Sequence, residues 1–380
     1  MNHTIHWLGA GLSSTPGIRR LAQGEIPFVV WNLDREQTRE SLLAAGVDTD
    51  VRELDFPEFW DSVRRGDIVV SMLPATMHLD VAREALRRGT HFVSSSYVSQ
   101  DMQALHDEAT AAGLCFVNEV GLDPGIDHLF THLLVDRYRR AGPHADDRLY
   151  FRSYCGGFPL HANAFRYKFS WSPLGTLLAL TSPARWIEDG RECETARPWD
   201  ALKQVTVAGR DEVFQAYPNR DSIPFIAQYE FDPGWHVEEF IRGTLRLDGW
   251  AEAWQSVLEQ IGDVDRAAAA ATLEPLAAEL GKKYSYEPGE PDRVVLSVEL
   301  EARRDGKTTW SGACAMDASG DARGQAMARL VSLPVSLAVD SVSAGDFAPG
   351  VHAATSDPDV IESWLAALEA QGETIVRRYA

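Results

Sequence analysis

Short apolar segments alternate with helical segments through the first 121 residues. The apolar segments are rich in β-branched and aromatic residues and read TIHWLGAG, PFVVWNLD, DIVVSMLP, HFVSSSY and LCFVNEV. Helical patterns such as LDVAREALRRG and DMQALHDEATAAG lie between them. Strands that alternate with helices of this length pair in parallel within one sheet, and the helices form right-handed crossovers between them. The alternation therefore predicts an α/β fold with a doubly wound parallel sheet of the Rossmann type.

The pattern changes after Asp123, where the alternating segments become longer and more polar. They read RLYFRSYCGG, HVEEFIRGTLRLDG and DRVVLSVELEARRDGKTTWSGACAMDA. The last contains RRDGKT between two alternating runs, which is typical of a hairpin. We therefore predict a second α+β domain on a mixed or antiparallel sheet. AWQSVLEQIGDVDRAAAAATLEPLAAELGKK favours a packed helix, and GDARGQAMARLVSLPVSLAVDSVSAG favours an apolar helix interrupted at Pro334.

The net charge of −20 restricts the partners of this chain. Nucleic acids and anionic membranes would repel it, so an anionic ligand must be held by locally placed arginines. The cysteines stand far apart and predict neither a disulfide framework nor a metal site: Cys115, Cys155, Cys193 and Cys314. We expect a reducing, cytoplasmic setting.

The start lacks a signal-peptide pattern, and no run of about 18 apolar residues occurs, so we expect neither export nor a membrane span.

The segment HWLGAGLSSTPGIRR has the context of a dinucleotide-binding loop. Gly9 and Gly11 follow an apolar strand and precede a helix. The first glycine permits a tight turn, and the second lets the backbone approach a pyrophosphate at the helix N-terminus. Ser14 occupies the third position, where Gly or Ala is usual. We predict cofactor contacts at Gly9, Gly11 and Leu12; the alternative is a turn of the same shape that binds nothing.

The choice of cofactor depends on the end of the second strand, VVWNLDRE. Asp34 is placed to accept from a ribose 2′-hydroxyl and to repel a 2′-phosphate, which favours NAD. Arg35 is a second predicted contact, and because Asn32 or Arg35 could line a phosphate pocket, NADP stays open. After a later strand, we expect Leu73 and Pro74 of SMLPATMH to lie along the nicotinamide. His78 is interpreted as a surface residue at a helix start rather than a catalytic one.

GLDPGIDHLFTHLL, which begins at Gly121, joins a predicted strand to an amphipathic helix. Asp123 is a natural N-cap for that helix, and Pro124 suits the first helical position. Its place at the carboxyl edge of a parallel sheet also makes Asp123 a candidate for ligand binding. SSSYVS is predicted to reach the same edge with Ser96 and Tyr97, and Ser96 is predicted to contact the cofactor as well as the substrate. SYCGGFP, with Cys155, and NAFRYKFSWSP, whose composition is typical of a pocket wall, are predicted to reach that edge too.

Several of these segments, taken together and in their order, resemble those of a known family. SSSYVS, NEVGLDPGIDH, SYCGGFP, YKFSWSP, AYPNRDS, IRGTLR and LVSLPVSLAVDSV…PGVH occur in the order found in L-glutamate-forming saccharopine dehydrogenases, also called saccharopine reductases. The resemblance runs from Gly9 to about His352. It implies a discontinuous cofactor domain of residues 1–121 and 331–380 around a substrate-binding and dimerisation domain of residues 122–330.

The resemblance also implies a reaction. Saccharopine, a secondary amine with three carboxylates, would be oxidised with NAD or NADP and water to L-glutamate and 2-aminoadipate 6-semialdehyde. The sequence does not fix the direction of the reaction, but the preference for NAD favours lysine breakdown. It places Asp123, Cys155 and Tyr97 around the reacting centre, in orienting, electrostatic and proton-relay roles. Because the substrate amine can itself exchange protons, the loss of one of them is expected to have a modest effect. A small buried residue is the alternative role for Cys155.

Three substrate carboxylates on an anionic protein require guanidinium groups. We predict that Arg220 and Arg242 bind them, with Asn219, Ser222, Ser96, Tyr97 and Asp123 as further substrate contacts; a strand-edge ion pair is the alternative for either arginine. A carboxyspermidine-type or carboxynorspermidine dehydrogenase of polyamine synthesis is the competing enzyme. The competing function outside the enzymes is that of a non-catalytic dinucleotide sensor. Exposed strands of the second domain suggest a homodimer.

Overall fold

The computed structural model describes residues 3–262, 264–266 and 268–380. The chain divides into two compact units, each built from two segments. The first unit contains residues 1–129 and 328–368, and the second contains residues 130–327 and 369–380. Asp263 and Ala267, which belong to the stretch predicted as one packed helix, lie outside the described residues, as do Met1 and Asn2.

The first unit is built on a seven-stranded sheet whose strands all pair in parallel. Numbered along the chain, these strands are β1 Ile5–Leu8, β2 Phe28–Asn32, β3 Asp50–Glu53, β4 Ile68–Ser71, β5 His91–Ser94, β6 Cys115–Val117 and β15 Gly350–His352. The helices that begin in this unit are α1 Thr15–Ala22, α2 Arg35–Ala44, α3 Phe56–Ser62, α4 His78–Arg88, α5 Gln100–Gln103, α6 His106–Ala112, α7 Ile126–Arg140 and α14 Pro358–Ala370. The predicted fold class is confirmed.

The order of the strands explains where a ligand would bind. The sheet runs β15-β6-β5-β4-β1-β2-β3, so the chain leaves β1 towards one edge and later returns to its other side at β4. The residues of β1 and β4 are all buried, as expected for central strands covered on both faces. In such sheets the crevice outside the carboxyl ends, where the order reverses, is the usual ligand site.

The second unit is built on a mixed sheet in the order β10-β11-β12-β7-β13-β14-β16, with a hairpin of β8 and β9 attached to β12. Its strands are β7 Arg148–Pro159, β8 Ala184–Glu188, β9 Arg191–Thr195, β10 Lys203–Val205, β11 Phe214–Pro218, β12 His236–Leu247, β13 Asp292–Arg304, β14 Lys307–Ser319 and β16 Val376–Tyr379. Its helices are α8 Pro173–Leu180, α9 Pro224–Gln228, α10 Trp250–Ala253, α11 Gln255–Ile261 and α12 Ala269–Lys283. The predicted hairpin is present as the antiparallel pair β13 and β14.

Helix α13, Ala326–Ala344, differs from its prediction. The helix continues through Pro334, where an interruption was expected. Ser332 on this helix accepts a 2.8 Å hydrogen bond from the backbone N–H of Gly17, so α13 packs closely on α1. By length and composition α13 is the one helix among the described residues that could cross a membrane, but most of it is buried within the protein.

The last strand also differs from the prediction. Residues 331–380 were expected to lie together in the cofactor domain, yet residues 369–380 belong to the second unit. The reason is strand pairing: β16 is antiparallel to β14, with Gly312 opposite Tyr379. The divisions between the units fall inside α7, α13 and α14 rather than at residues 121 and 330. A helix that continues across a division leaves no sequence signal there.

Candidate active site

The loop between β1 and α1 has the geometry of a dinucleotide cradle. Gly9 has a φ of +91°, and a Cβ there would lie 2.8 Å from the carbonyl oxygen of Met72, so only glycine fits. A Cβ at Gly11 would meet nothing within 4 Å, which leaves open space above the backbone. The first turn of α1 carries no acidic residue. These features suit a pyrophosphate approaching the helix N-terminus.

Ser14 explains how the loop tolerates a departure from the usual third glycine. Its side chain is buried, and its hydroxyl donates to the carbonyl oxygen of Gly9 over 3.2 Å. The Ser14 side chain therefore stabilises the turn by a hydrogen bond across its interior. Leu12 is 65% exposed, so it stays a predicted cofactor contact rather than a core residue.

The end of β2 carries the residues predicted to select the cofactor. The Asp34 carboxylate caps α2 by accepting from the backbone N–H of Gln37 over 2.9 Å. Asn32 accepts from the backbone N–H of Ala10, which ties this strand end to the glycine loop. The Arg35 Nε donates to the Val51 carbonyl oxygen over 3.0 Å. Asp34 thus has a structural role in addition to any contact with a ribose.

The segment after β4 lies beside the same loop, since Met72 contacts Gly9. Leu73 and Pro74 follow directly, and Pro74 precedes a short 3₁₀ helix, Ala75–Met77. His78 begins α4 as predicted, but the expectation of a surface position is wrong because the residue is 5% exposed. Its Nδ1 lies 2.8 Å from the Ser71 hydroxyl, and burial lowers the pKa of its imidazole to about 4.

Asp123 lies on a closed loop and does not cap a helix. Helix α7 begins at Ile126, so Asp123 is not at its N-cap position and the N-cap prediction is wrong. The peptide bond between Asp123 and Pro124 is cis. Gly121 donates to the Pro124 carbonyl, and Ile126 donates to the Gly121 carbonyl, which closes the five-residue loop. A Cβ at Gly125 would lie 2.0 Å from the Gly121 oxygen, so the closure requires glycine at that position.

Tyr97 and Asp123 are brought together by two neighbouring strand ends. Tyr97 follows β5 and Asp123 follows β6, and the tyrosine hydroxyl donates to the Asp123 Oδ1 over 3.2 Å. Both side chains are half-buried, as is Ser96. A phenol and a carboxylate in contact can hold and pass a proton between them. The first unit therefore brings together Tyr97 and Asp123, two of the three residues predicted to surround the reacting centre.

Cys155, the third of these predicted residues, lies on one face of the second sheet. It lies opposite Thr244 in the pairing of β7 with β12, and Thr244 lies opposite Tyr217 in β11. Arg242 and Arg246 stand two residues to either side of Thr244, so the strand alternation puts them on the same face. We call this surface the Cys155 face. Burial raises the pKa of Tyr217, whose hydroxyl contacts Thr244 and Arg246, to about 12.

Arg242 is held firmly in the second unit. It is 1% exposed, and its guanidinium carbon lies 4.0 Å from the centre of the Phe225 ring. Its backbone N–H donates to the Ser222 hydroxyl, and its carbonyl accepts from Asn219 over 2.7 Å. The structure therefore brings together Asn219, Ser222 and Arg242. Arg220, by contrast, is exposed and has a φ of +59°.

Arg246 was not among the predicted site residues, although it shares the Cys155 face. It is 6% exposed, and its guanidinium lies 5.1 to 5.5 Å from the ring centres of Tyr167, Tyr217 and Trp250. Its buried Nε has no hydrogen-bond partner among the described residues. The spacing of four from Arg242 within an alternating strand was the signal that could have identified it.

The cysteines and acids offer no further centre. The four cysteines, all among the described residues, form no disulfide bond, and Cys155 is buried. In the part of the chain that the structure describes, no group of three His, Cys, Asp or Glu side chains could hold a metal ion.

Comparison with known proteins places this geometry in a family. Residues 5–117 match the model of the saccharopine dehydrogenase NADP binding domain, and residues 121–373 match that of the saccharopine dehydrogenase C-terminal domain. The chain belongs to the saccharopine dehydrogenase family. A relative named saccharopine dehydrogenase [NADP(+), L-glutamate-forming], from Pyricularia oryzae, is 30% identical over 90% of this chain and 91% of its own.

Solved structures agree with the family. Saccharopine dehydrogenase (L-Glu forming) from Saccharomyces cerevisiae aligns over 100% of both chains with a TM-score of 0.81 and 27% identity. A homospermidine synthase from Legionella pneumophila aligns over 100% of this chain and 92% of its own, with a TM-score of 0.66 and 10% identity. At that identity the second likeness concerns the fold alone and lends no support to a polyamine substrate.

Proposed function

We propose that this chain oxidises saccharopine, with a nicotinamide dinucleotide and water, to L-glutamate and 2-aminoadipate 6-semialdehyde. The observation that carries the proposal is the match to the L-glutamate-forming enzyme of Pyricularia oryzae over nine-tenths of both chains. The Tyr97–Asp123 pair and the Cys155 face supply the residue types that the reaction requires. Lysine degradation is the physiological setting that we propose.

Hydride acceptance is the chemistry that the bound dinucleotide supplies. The residues of this chain manage protons and charge. Asp123 accepts from Tyr97, and this pair would take up and return protons as the substrate amine is oxidised, water adds and glutamate leaves. We assign Ser96 and Cys155 to orienting the substrate, because hydride chemistry needs no nucleophile.

The arginines would bind the substrate carboxylates. Arg242 and Arg246 share a face, and Arg246 keeps an unsatisfied donor that costs about 1–3 kcal/mol when it is buried. A carboxylate would satisfy that donor and neutralise the charge. We therefore propose Arg242 and Arg246 as the principal carboxylate ligands, with Asn219 and Ser222 beside them. Arg220, which is exposed, remains a further predicted ligand.

We propose NADP as the cofactor, in place of the NAD that Asp34 predicts. The matching family model is described as NADP binding, and the Pyricularia oryzae relative is named for NADP(+). The Asp34 carboxylate is engaged as a helix cap, and Arg35 follows it in the chain. A guanidinium at that position suits a 2′-phosphate.

A cytoplasmic homodimer is also proposed. Four cysteines without a disulfide bond among them support a reducing compartment. The second sheet ends in β10 and β16, and edge strands of this kind can pair across a two-fold axis. Sedimentation of the purified protein would test the dimer, and a monomer at micromolar concentration would contradict it.

The reaction is tested by following nicotinamide reduction with saccharopine or carboxynorspermidine, each with NADP and with NAD. We expect turnover with saccharopine and a higher kcat/KM with NADP. Turnover of carboxynorspermidine alone would replace the proposed substrate with the polyamine alternative. Dinucleotide binding without any turnover would instead indicate a sensor.

A further inference from the structure

Glu119 is a buried acid placed between the two loops that carry Tyr97 and Asp123. It lies two residues after β6, is 3% exposed and has a φ of +58°. A non-glycine residue in that region costs of order 1–3 kcal/mol and persists only where surrounding contacts hold it. Such strain occurs often at functional sites, so the contacts that hold Glu119 are informative.

On one side, Glu119 holds the Tyr97 loop through two hydrogen bonds. Its carboxylate Oε1 accepts from the backbone N–H of Val98 over 2.8 Å. Its own backbone N–H donates to the carbonyl oxygen of Ser96 over 3.0 Å. The residues immediately before and after Tyr97 are therefore both bonded to Glu119.

On the other side, Glu119 is connected to the far end of the Asp123 loop. Its Oε2 lies 2.9 Å from the Nε2 of His128, and the His128 Nδ1 lies 3.6 Å from the Asp127 Oδ2. The Asp127 Oδ1 accepts from the backbone N–H of Gly125 over 2.6 Å. His128 and Asp127 are both fully buried. These contacts tie Gly125, the last residue of the loop, back to Glu119.

We propose that Glu119 is a positioning residue that fixes the Tyr97 hydroxyl against the Asp123 carboxylate. It would act through these two side chains rather than on the substrate. The Tyr97 loop is hydrogen-bonded directly to Glu119, and the Asp123 loop is connected to it through His128 and Asp127, so a movement of Glu119 would change the distance between the two side chains. The catalytic part of this inference rests on the proposed function, whereas the geometric part does not.

The activity test compares Glu119→Ala and Glu119→Gln with a matched control. We expect Glu119→Ala to lower kcat about tenfold to a hundredfold at an unchanged KM for saccharopine, as expected for a lost alignment of about 1 Å. Glu119→Gln keeps an acceptor for Val98 and should restore part of kcat. Asp67→Asn is the control, because Asp67 is an equally buried acid that contacts His6 over 3.2 Å and lies before β4. It should lower stability without changing kcat.

Two outcomes separate positioning from a purely structural role. If Glu119 acts through Tyr97, Glu119→Gln should lower kcat little further in a Tyr97→Phe background, whereas additive losses of kcat would overturn the proposal.

A crystal structure of Glu119→Ala, or of Glu119→Gln if the alanine variant does not fold, provides a readout that needs no activity. We expect the Tyr97–Asp123 contact to be broken in the alanine variant and lengthened in the glutamine variant. An unchanged 3.2 Å contact would overturn the positioning role, whereas a wild-type enzyme without saccharopine turnover would overturn only the proposed function.

Discussion

Single residues were predicted better by chemical type than by conformation. Asp123 was predicted as a site residue from the edge of the sheet on which it lies, and that role stays a prediction; the expected N-cap geometry was wrong because the chain closes a loop before α7 begins. The 26-residue separation between Tyr97 and Asp123 hides their contact from any local pattern. It becomes visible only when adjacent parallel strands bring their ends together.

Replacement of Tyr97 tests the proton-handling pair. Tyr97→Phe keeps the ring and removes the hydroxyl that donates to Asp123, so we expect kcat to fall by about tenfold to a hundredfold with little change in Tm. Tyr150→Phe is the control, since that ring packs under Arg303 on the second sheet. Steady-state kinetics with saccharopine measure both variants, and equal kcat values for them would contradict the role of Tyr97.

Arg246 is expected to act on substrate affinity. Arg246→Met keeps the stem between the aromatic rings and removes the charge, so KM for saccharopine should rise about tenfold to a hundredfold while NADP affinity stays the same. Arg152→Met is the control, because Arg152 pairs with Glu239 on the opposite face of the sheet. A KM that rises equally in both variants would indicate a general loss of structure.

His78 makes stability depend on pH. Its pKa is 6.5 in an unfolded chain and about 4 when buried, so the unfolded state takes up a proton first as the pH falls. The stabilisation is complete above pH 6.5 and declines towards pH 4, by on the order of 3 kcal/mol. Urea unfolding of the wild type and His78→Gln across this range should give curves that converge at low pH, and parallel curves would contradict the assignment.

Elements with strong periodicity were predicted well, and elements defined by distant partners were not. The five predicted strands of the first sheet are present, whereas β3 and β15 were not predicted as strands. β3 has one buried residue in four, so its sequence carries little apolar signal. The continuity of α13 through Pro334 depends on packing that a propensity scale does not contain.

The contact between α1 and α13 gives a prediction about helix packing. A Cβ at Gly17 would lie 2.4 Å from the Ser332 carbonyl oxygen, so Gly17→Ala should destabilise the protein by about 1–3 kcal/mol. Gly11→Ala is the matched control, because its Cβ would meet nothing within 4 Å. That variant should unfold at the wild-type temperature and bind the dinucleotide more weakly. Thermal unfolding and dinucleotide titration separate the two effects.

At the scale of the whole molecule, the class of fold and the number of units followed from the sequence, but the boundaries did not. The residue patterns continue through α7 and α13, where the units divide. The net charge of −20 makes local guanidinium groups necessary for a substrate with three carboxylates. The proposal of Arg246 for that role depended on the pairing of β7, β11 and β12.

Cofactor preference is measurable on the whole molecule without any substrate. A ligand at about 100 times its Kd stabilises the folded state by about 2.7 kcal/mol. We expect NADP to raise Tm more than NAD at equal concentration, and Gly11→Ala to reduce both shifts. A larger shift with NAD would restore the preference that Asp34 suggested.

The pairing of β16 with β14 has a consequence for synthesis on the ribosome. Residues 376–379 are translated after every other described strand, yet they cover one edge of a sheet whose first strand begins at Arg148. Until they emerge, the β14 edge offers unpaired backbone groups to any neighbouring chain. A nascent chain that exposes β14 before β16 has paired with it is therefore more open to aggregation than the folded protein.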